Sequence, residues 1–434
     1  MSITRNRLAA GAAFGVAVLA ASQASASAFY LQEQSVRGAG RAYSGEVADT
    51  GVASLWWNPA AIARVERGEI YGGLHGILVD SDATNNGSTI TRPGQATTAI
   101  SGDSRASNPL LNGLLPNLGG AWRLNDKIVI GLSTAAPYNF TTKYSSTSVA
   151  RYDALKSRLT SVDIQGTVAY RLNDKLDLGV GISAEYMDAN LTNALPQISP
   201  LLADTGRQAL TGDGWDYGWS AGAQYHPTSN LTFGASYRSK IKHTLKGKVD
   251  VSGLLSLLAA SNGSFDGEAE ITTPWIATIG GRWGVTSKTT LNASVSRIGW
   301  SEFDAIRVTR AAGTTVTPQD YKDITTIAVG VDYQYSPRLT LRGGVQKDPT
   351  PTPDIGRTAR VPDGDRMMYS TGATWAAKPN LKLDVAATYI DFADSAINRS
   401  DTFYAGTAAA TATALKANAT GSAVVLSAGA RFTF

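Results

Sequence analysis

Residues 176–186 read LDLGVGISAEY, and their pattern indicates how most of the chain folds. Apolar side chains occupy its even positions, and polar or small residues fill the odd positions between them. A period of two residues is typical of a β-strand that has one apolar face and one wet face. The same alternation recurs at residues 231–238, 381–389 and 424–434, so the chain is predicted to be built from such strands.

The predicted connections between the strands alternate strictly between short and long. The short links carry turn-forming residues and lie near 125–126, 173–174, 227–230, 286–287, 336–337 and 377–379. The long links lie at about 81–115, 141–158, 190–214, 248–266, 304–319, 348–364 and 396–421. Outer-membrane barrels have this arrangement, with short periplasmic turns and long external loops around an even number of strands.

The aromatic residues distinguish a barrel from a soluble β-sandwich, which would also alternate. Each strand that descends to a short link carries an aromatic residue just before it, and the last strand ends in one: Trp122, Tyr170, Tyr225, Trp283, Tyr335, Trp375 and Phe434. In a sandwich the aromatics would lie mid-strand in the core, whereas a barrel places them at the membrane interface. We therefore predict an all-β fold, a 14-stranded antiparallel transmembrane β-barrel.

The N-terminus has the features of a secretory signal peptide. Arg5 and Arg7 precede an apolar run over residues 8–21, and small residues follow it. The small residues at 24–26 fit a cleavage site after Ala26, with cleavage after Ala28 as the alternative. We assign residues 1–26 to the signal peptide and expect the mature protein in a bacterial outer membrane. A membrane anchor is the other interpretation, but the apolar run is too short to span.

Residues 27–67 do not follow the pattern of the rest of the chain. Glycines at 38, 40, 45 and 51 and a proline at 59 interrupt them, and no period of two or of 3.6 is sustained. Short helical turns and loops are therefore expected here. We predict that this region is a hatch, or plug, in the lumen, and that residues 68–434 form the barrel.

Composition excludes several classes of function. The 434 residues include no cysteine and three histidines, so a thiolate metal site and a disulfide framework are excluded. The net charge of +4 falls by two when Arg5 and Arg7 are removed, and it is spread along the chain, which argues against nucleic acid. No arrangement of nucleophile and base is visible. We expect no enzyme activity and no cofactor or metal.

Several motifs in sequence order resemble the FadL-type outer-membrane transporters of long-chain fatty acids and other hydrophobic compounds. The similarity lies in residues 29–31, 40–46, 58–60, 237–241, 246–247, 300–303, 321–323 and 361–366. The resemblance implies a fourteen-stranded barrel with an N-terminal hatch, in agreement with the count from alternation. It also implies that Asn58, Pro59 and Ala60 form a hatch element beside the ligand route, and that Phe29 and Leu31 belong to its tip. A plain Asn-Pro turn is the alternative for residues 58–60.

Pro137 interrupts the third predicted strand after residues 128–134. Proline has no N–H to donate to a ladder, so a bulge or a local break is expected there. The resemblance implies an inward kink in this strand that opens a lateral gap in the wall. The alternative is that Pro137 lies beyond the membrane, where the strand frays into its loop.

Two long links are unusually apolar, at residues 195–202 and 251–260, and the second has the composition of a short helix. Exposed apolar loops mark interaction sites. The resemblance implies that they form an external groove for the ligand, and we assign ligand contacts to Leu201, Leu202, Leu254, Leu257 and Leu258. The alternative is that the two loops pack on each other as a lid.

The chain departs from the family where a pair of cations is expected to bind a ligand carboxylate. The matching positions hold Asn193 and Thr317, and Arg307, Arg310 or Lys322 are candidate substitutes. This departure disfavours a fatty acid more than it disfavours a neutral hydrophobic compound.

The sequence thus predicts monomeric transport of hydrophobic molecules across a Gram-negative outer membrane, among lipid and lipopolysaccharide. The ligand is expected to adsorb on the apolar loops, pass a hatch-gated pocket and leave sideways near Pro137. A passive porin for small polar solutes and a loop-mediated adhesion or receptor barrel are the alternatives.

Overall fold

Alternating strands account for most of the chain in the computed structural model, which describes residues 28–434. The predicted signal peptide, residues 1–26, lies outside the described residues. We number the strands of the wall in chain order: β1 (Gly68–Asn85), β2 (Gly113–Arg123), β3 (Ile128–Ala135 and Asn139–Lys143), β4 (Lys156–Arg171), β5 (Leu176–Ala194), β6 (Arg207–Thr228), β7 (Leu231–Arg238 and Ile241–Ser252), β8 (Gly263–Thr273 and Trp275–Gly284), β9 (Thr289–Gly299 and Ala305–Arg310), β10 (Ile324–Ser336), β11 (Leu339–Asp348), β12 (Arg366–Lys378), β13 (Leu381–Phe403) and β14 (Thr411–Thr433). Short strands also lie in the loops, at Thr89–Thr91, Thr98–Ala99, Arg105–Ser107 and Gly313–Pro318.

The first and last strands close the sheet into a ring. β1 pairs with β14 antiparallel from Glu69 opposite Thr433 to Asn85 opposite Ala417. Because the ring is closed, every strand finds backbone partners, as spanning a membrane requires. The predicted fourteen-stranded antiparallel barrel is confirmed. Among residues 28–434, none of the helical segments has the length and hydrophobicity of a transmembrane helix.

Because side chains alternate along each strand, every second side chain faces out of the ring. On β14, Val424, Leu426 and Phe432 are exposed, whereas Val425 and Arg431 between them are buried. The five aromatics Tyr225, Trp283, Tyr335, Trp375 and Phe434 are exposed at the short-turn end, and Trp122 and Tyr170 are half-buried there. An exposed aromatic belt at one end of the barrel is what an interface with lipid headgroups favours.

The short turns form where side chains satisfy the free backbone groups. Asn125 accepts hydrogen bonds from the N–H groups of Lys127 and Ile128, both at 2.9 Å. Asn173 does the same for Lys175 and Leu176, at 2.9 and 3.0 Å. These local bonds are those of Asx turns, which explains why the turn residues predicted the links.

The N-terminal segment, residues 28–67, consists of short helical turns, as its sequence predicts. It contains one α-helical turn, Val36–Ala39, capped by Ser35, and the 3₁₀ turns Glu46–Ala48, Val52–Ser54 and Pro59–Ile62. Nearly all residues from 28 to 65 are buried. The segment contacts strands on all sides of the ring, which therefore surrounds it. Further 3₁₀ turns lie in the loops at Val149–Tyr152, Ser256–Ser261 and Trp300–Glu302.

Glycines of the wall allow the backbone of the N-terminal segment to approach closely. A Cβ atom at Gly179 on β5 would lie 2.3 Å from backbone atoms of Pro59 and Ala60. A Cβ atom at Gly234 on β7 would lie 2.2 Å from the carbonyl oxygen of Val47. Side chains at these positions would not fit, so the inner face of the wall matches the segment in shape.

Candidate functional site

The third strand is broken in its middle, at residues 136–138. Ala135 lies opposite Asp163 on β4, and pairing resumes with Asn139 opposite Thr160. Between these two pairs β3 advances by four residues and β4 by only three, so β3 contains one extra residue, as in a β-bulge. The strand continues beyond the break for five residues. Pro137 therefore marks an interruption within the strand and not its fraying end.

The break opens the backbone ladder between β2 and β3. These strands pair only from Leu118 opposite Thr134 to Arg123 opposite Val129. Contact resumes farther up at a single bridge between Leu110 and Thr142. Between these points, residues 113–117 of β2 pair with β1 but, within the described chain, have no ladder partner on the β3 side.

The tip of the N-terminal segment occupies the broken edge of β3 from inside. The Leu31 N–H donates to the Pro137 carbonyl at 2.7 Å, and the Asn139 N–H donates to the Phe29 carbonyl at 3.1 Å. Tyr30 and Tyr138 form an antiparallel bridge between these two bonds. The tip therefore takes the pairing position that β2 leaves empty.

Two further hydrogen bonds hold the tip in place. The Ala28 N–H donates to Asp363 Oδ2 at 2.9 Å, and the Ala136 N–H donates to Gln34 Oε1 at 3.3 Å. Asp363 lies in the loop between β11 and β12. The tip is thus tied to the broken strand and to an external loop at once.

Phe29 lies in a cluster of aromatic rings. Its ring centroid is 4.8 Å from Trp300, 5.3 Å from Phe303, 5.9 Å from Phe140 and 6.1 Å from Tyr138. Tyr321 packs against the same tryptophan, and burial raises the pKa of its hydroxyl group. Leu31 points elsewhere, into a cluster that includes Val36, Ile77, Leu115 and Met368. Of the two predicted tip residues, only Phe29 lines a cavity.

Two adjoining cavities lie above Phe29. The inner one is narrow, with a cavity volume of about 40 Å³, and is lined mainly by apolar side chains, with Phe29, Phe140 and Phe303 among them. The outer one, which we call the vestibule, has a cavity volume of about 290 Å³ and is partly open to solvent. The two are adjacent, because they share the lining residues Leu191, Ile306, Gln319, Thr358 and Arg360.

The apolar external loops contact each other in part. Leu254 and Leu258 are buried in a cluster with Leu195 and Ala409, as the lid interpretation predicts. Leu201 and Leu257 are 94% and 79% exposed, as a capture surface requires. Leu202 is half-buried, and in the described chain none of the five predicted leucines lines the inner cavity or the vestibule.

Asn58 joins the N-terminal segment to the wall. Its side-chain oxygen accepts from the Ala60 N–H at 2.9 Å, which caps the 3₁₀ turn Pro59–Ile62. Its amide nitrogen donates to the Val47 carbonyl at 2.7 Å and to the Ala223 carbonyl of β6 at 3.1 Å. The residue is therefore more than a turn former, because it also bonds the wall.

A buried network of charges joins the N-terminal segment to the barrel wall. Arg41 is fully buried and contacts Glu46 at 2.7 Å, Asp49 at 2.6 Å and Asp332 of β10 at 3.1 Å. Arg282 of β8 contacts both aspartates, Asp49 at 3.1 Å and Asp332 at 2.7 Å. These pairs tie the segment to the wall across the lumen.

The candidate substitutes for the expected cations lie in different surroundings. Asn193, Thr317 and Arg310 line the vestibule. Arg307 is paired with Asp304 at 2.6 Å, and Lys322 is exposed and lines neither cavity in the described chain. Arg360, which sequence reasoning missed, lines both cavities. Its only sequence signal is its position directly before the motif at 361–366.

Comparison with known proteins gives one consistent result. The family described as outer membrane protein transport protein (OMPP1/FadL/TodX) matches residues 17–434. A long-chain fatty acid transport protein of Escherichia coli O6:H1 is 29% identical over 413 residues, which are 87% of this chain and 90% of that protein. Outer membrane protein P1 of Haemophilus influenzae is 27% identical over 408 residues, covering 86% and 88%.

Solved structures share the fold. A FadL homologue of Pseudomonas aeruginosa matches with a TM-score of 0.81 at 23% identity, over 94% of this chain and 99% of that chain. The Ralstonia pickettii toluene transporter TbuX matches with a TM-score of 0.63 at 18% identity, over 92% and 98%. Both likenesses show the barrel fold.

Proposed function

Because the chain belongs to the OMPP1/FadL/TodX family of outer-membrane transport proteins, we propose that its N-terminal tip gates a lateral exit for hydrophobic molecules. Membership confirms the predicted outer-membrane location, and it confirms that the chain is a transporter and not an enzyme. The observation that carries the proposal is the pairing of residues 29–31 with the broken edge of β3, beside the unpaired stretch of β2.

Long-chain fatty acids and monoaromatic hydrocarbons are the candidate cargoes, because the names of relatives include a fatty acid transport protein and a toluene transporter. Capture would begin on the exposed Leu201 and Leu257. Each methylene removed from water contributes about 0.8 kcal/mol, so an acyl chain needs no specific polar contact to adsorb there.

The cargo would then pass through the vestibule into the inner cavity, whose floor includes Phe29. Displacement of Phe29 by the cargo would break the two backbone bonds between the tip and β3. The gap between β2 and β3 would then lead to the bilayer. Lateral exit suits an apolar cargo, because it never has to enter the aqueous periplasm.

We further propose that the transporter acts as a monomer surrounded by outer-membrane lipid and lipopolysaccharide. All fourteen strands come from one chain and the ring closes on itself. No second copy is needed to complete the wall.

A reversible covalent lock tests the gate. Tyr30 and Tyr138 form a pair without direct hydrogen bonds between them, for which the Cα atoms are typically about 4.5 Å apart, within the range of a disulfide. The natural chain has no cysteine, so the variant Tyr30→Cys/Tyr138→Cys contains only the engineered pair. We expect oxidation to abolish uptake of radiolabelled oleate and toluene by cells, and dithiothreitol to restore it.

The matched controls are the two single-cysteine variants, which have lost the same tyrosines but cannot form the lock. Their uptake should not respond to oxidation. Uptake that persists in the oxidised double variant would refute the gate. Equal uptake by cells with and without the wild-type gene would refute transport altogether.

A further inference from the structure

Three of the six short turns carry a positive charge that no other residue of the turn balances. Each contains one cation and no acidic residue, and they read GVTSKT at 284–289, SPRL at 336–339 and AAKPN at 376–380. The cations are Lys288, Arg338 and Lys378, and all three are exposed. We call these three residues the cationic arc.

Backbone hydrogen bonds place the three turns side by side. The Gln334 N–H donates to the Lys288 carbonyl at 2.7 Å, and the Ala376 N–H donates to the Arg338 carbonyl at 2.8 Å. The first two cations therefore each lie next to a strand of the following turn. Successive turns are two strand spacings apart, which is about 10 Å. The cationic arc thus follows the rim of the barrel from β8 to β13.

The cationic arc lies directly beyond part of the aromatic belt. The exposed rings of Trp283, Tyr335 and Trp375 precede the three cations by five, three and three residues. Trp and Tyr at such positions lie at the level of the lipid headgroups, and short turns of outer-membrane barrels face the periplasm. The long side chains of Lys and Arg reach the headgroup phosphates from there. The cationic arc therefore faces the phosphates of the periplasmic leaflet.

The short turns outside the cationic arc carry no such excess of charge. Residues 124–127 and 172–175 both read LNDK, in which an exposed aspartate stands directly before the lysine. The turn at 227–230 is uncharged. Adjacent opposite charges largely cancel each other's field a short distance away. Among the short turns, the excess positive charge is thus confined to β8–β13, and the gap between β2 and β3 lies outside this arc.

Carboxylates of the lumen do not balance the cationic arc. Two of them lie six residues away in sequence, Asp332 before Arg338 and Asp384 after Lys378. Both are buried, and each pairs with an arginine of the wall at 2.7 Å. Within residues 28–434 none of the three cations of the arc forms an ion pair. Their charge is therefore available to an anion outside the protein.

We propose that the cationic arc binds the headgroup phosphates of anionic phospholipids in the periplasmic leaflet of the outer membrane. Each Lys or Arg near an anionic lipid surface adds a favourable interaction, and the amphipathic aromatic rings beside them hold the same lipids at the interface. This site is separate from the cargo route. It rests on the outer-membrane location of the barrel and not on the gate, and it adds a lipid class to the proposed lipid surroundings.

Tryptophan quenching by brominated lipids tests the site in a bilayer, since Trp283 and Trp375 lie beside the cationic arc. The full-length protein is placed in phosphatidylcholine vesicles that contain an equal minor fraction of dibrominated phosphatidylglycerol or dibrominated phosphatidylcholine. We expect the anionic lipid to be preferred by about fivefold or more. High salt should remove the preference, because it screens exposed charges. Lys288→Gln/Lys378→Gln should lower the preference to about twofold or less.

The matched control is Lys127→Gln/Lys175→Gln, which removes two lysines at the same end of the barrel. Each lies five residues past an aromatic residue, as Lys288 does, but next to an aspartate. This variant should keep the wild-type preference. Equal quenching of wild type by the two lipids would refute the site, and equal loss in both double variants would show that the total charge of the rim acts instead of the arc.

A competition arm distinguishes the lipid from a free anion. Inorganic phosphate added at constant ionic strength should leave the preference unchanged, and its removal by phosphate would overturn the inference in favour of a site for soluble anions. Uptake of radiolabelled oleate by cells should be the same for both double variants and wild type. A failure of the lipid site therefore differs from a failure of the proposed function, which would appear as uptake equal to that of cells without the gene.

Discussion

At the scale of single residues, Gly179 tests how closely the wall and the N-terminal segment fit. A methyl group there would meet backbone atoms of Pro59 and Ala60, which cannot move aside as a side chain can. We expect Gly179→Ala to lower the free energy of unfolding by about 1–3 kcal/mol, as overpacking does. Urea unfolding followed by tryptophan fluorescence measures the change.

Gly166 on β4 offers the control for this prediction, because a Cβ atom there would meet nothing within 4 Å. Gly166→Ala should leave the unfolding midpoint within experimental scatter of wild type. If both alanine variants behave alike, the close approach at Gly179 does not contribute to stability.

Residue-scale predictions from sequence succeeded where a local rule applies. Pro137 indicated a strand break because it lacks an N–H, and Asn58 with Pro59 indicated a turn because proline restricts the backbone on both sides. Arg360 follows no local rule. It lies in a loop without a period, and its position between two cavities is created by β4, β5 and the β11–β12 loop together. Only the folded arrangement shows this residue.

At the scale of elements, the strands were predicted correctly in number but too short at their outer ends. The link predicted at 396–421 is a loop only over residues 404–410, because β13 extends to Phe403 and β14 starts at Thr411. Burial still alternates along the outer part of β14, but the residues on its two faces are mostly alanine and threonine, so the two faces differ little in polarity. The backbone ladder therefore continues there with only a weak signal in the sequence.

At the level of strand register, the break in β3 arises from one extra residue, and a one-residue deletion tests it. Without Pro137, Ala135 and Asn139 would be three residues apart, as their partners Asp163 and Thr160 on β4 are. We expect β3 to become continuous, the gap to β2 to close and oleate uptake to fall to the level of cells that lack the gene. Radiolabelled uptake and the heat-dependent gel mobility of the folded barrel measure both effects.

Pro137→Ala is the matched variant, because it removes the proline but keeps the extra residue. Its bulge should persist, and with it most of the uptake. If the deletion variant folds and transports as wild type does, cargo does not leave through this gap.

At the scale of the whole molecule, the ring and its contents depend on each other. Inward-facing charged residues of the wall pair with charged residues of the N-terminal segment. Arg282 of β8 pairs with Asp49, and Asp332 of β10 pairs with Arg41. Wall glycines leave room for its backbone. The lumen is therefore built around residues 28–67, and the wall without them would enclose polar groups that only water could satisfy.

Deletion of residues 29–67 tests this dependence and separates transport from a passive pore. Water should fill the emptied lumen, because its inward face carries charges and the ring of fourteen strands is wide. In planar bilayers we expect the deletion variant to show stable ionic conductance and the intact protein to show almost none. Liposomes containing the intact protein should likewise fail to swell in small sugars. Rapid swelling with the intact protein would favour a porin for polar solutes, since a lumen closed by its own N-terminal segment cannot carry such a flux.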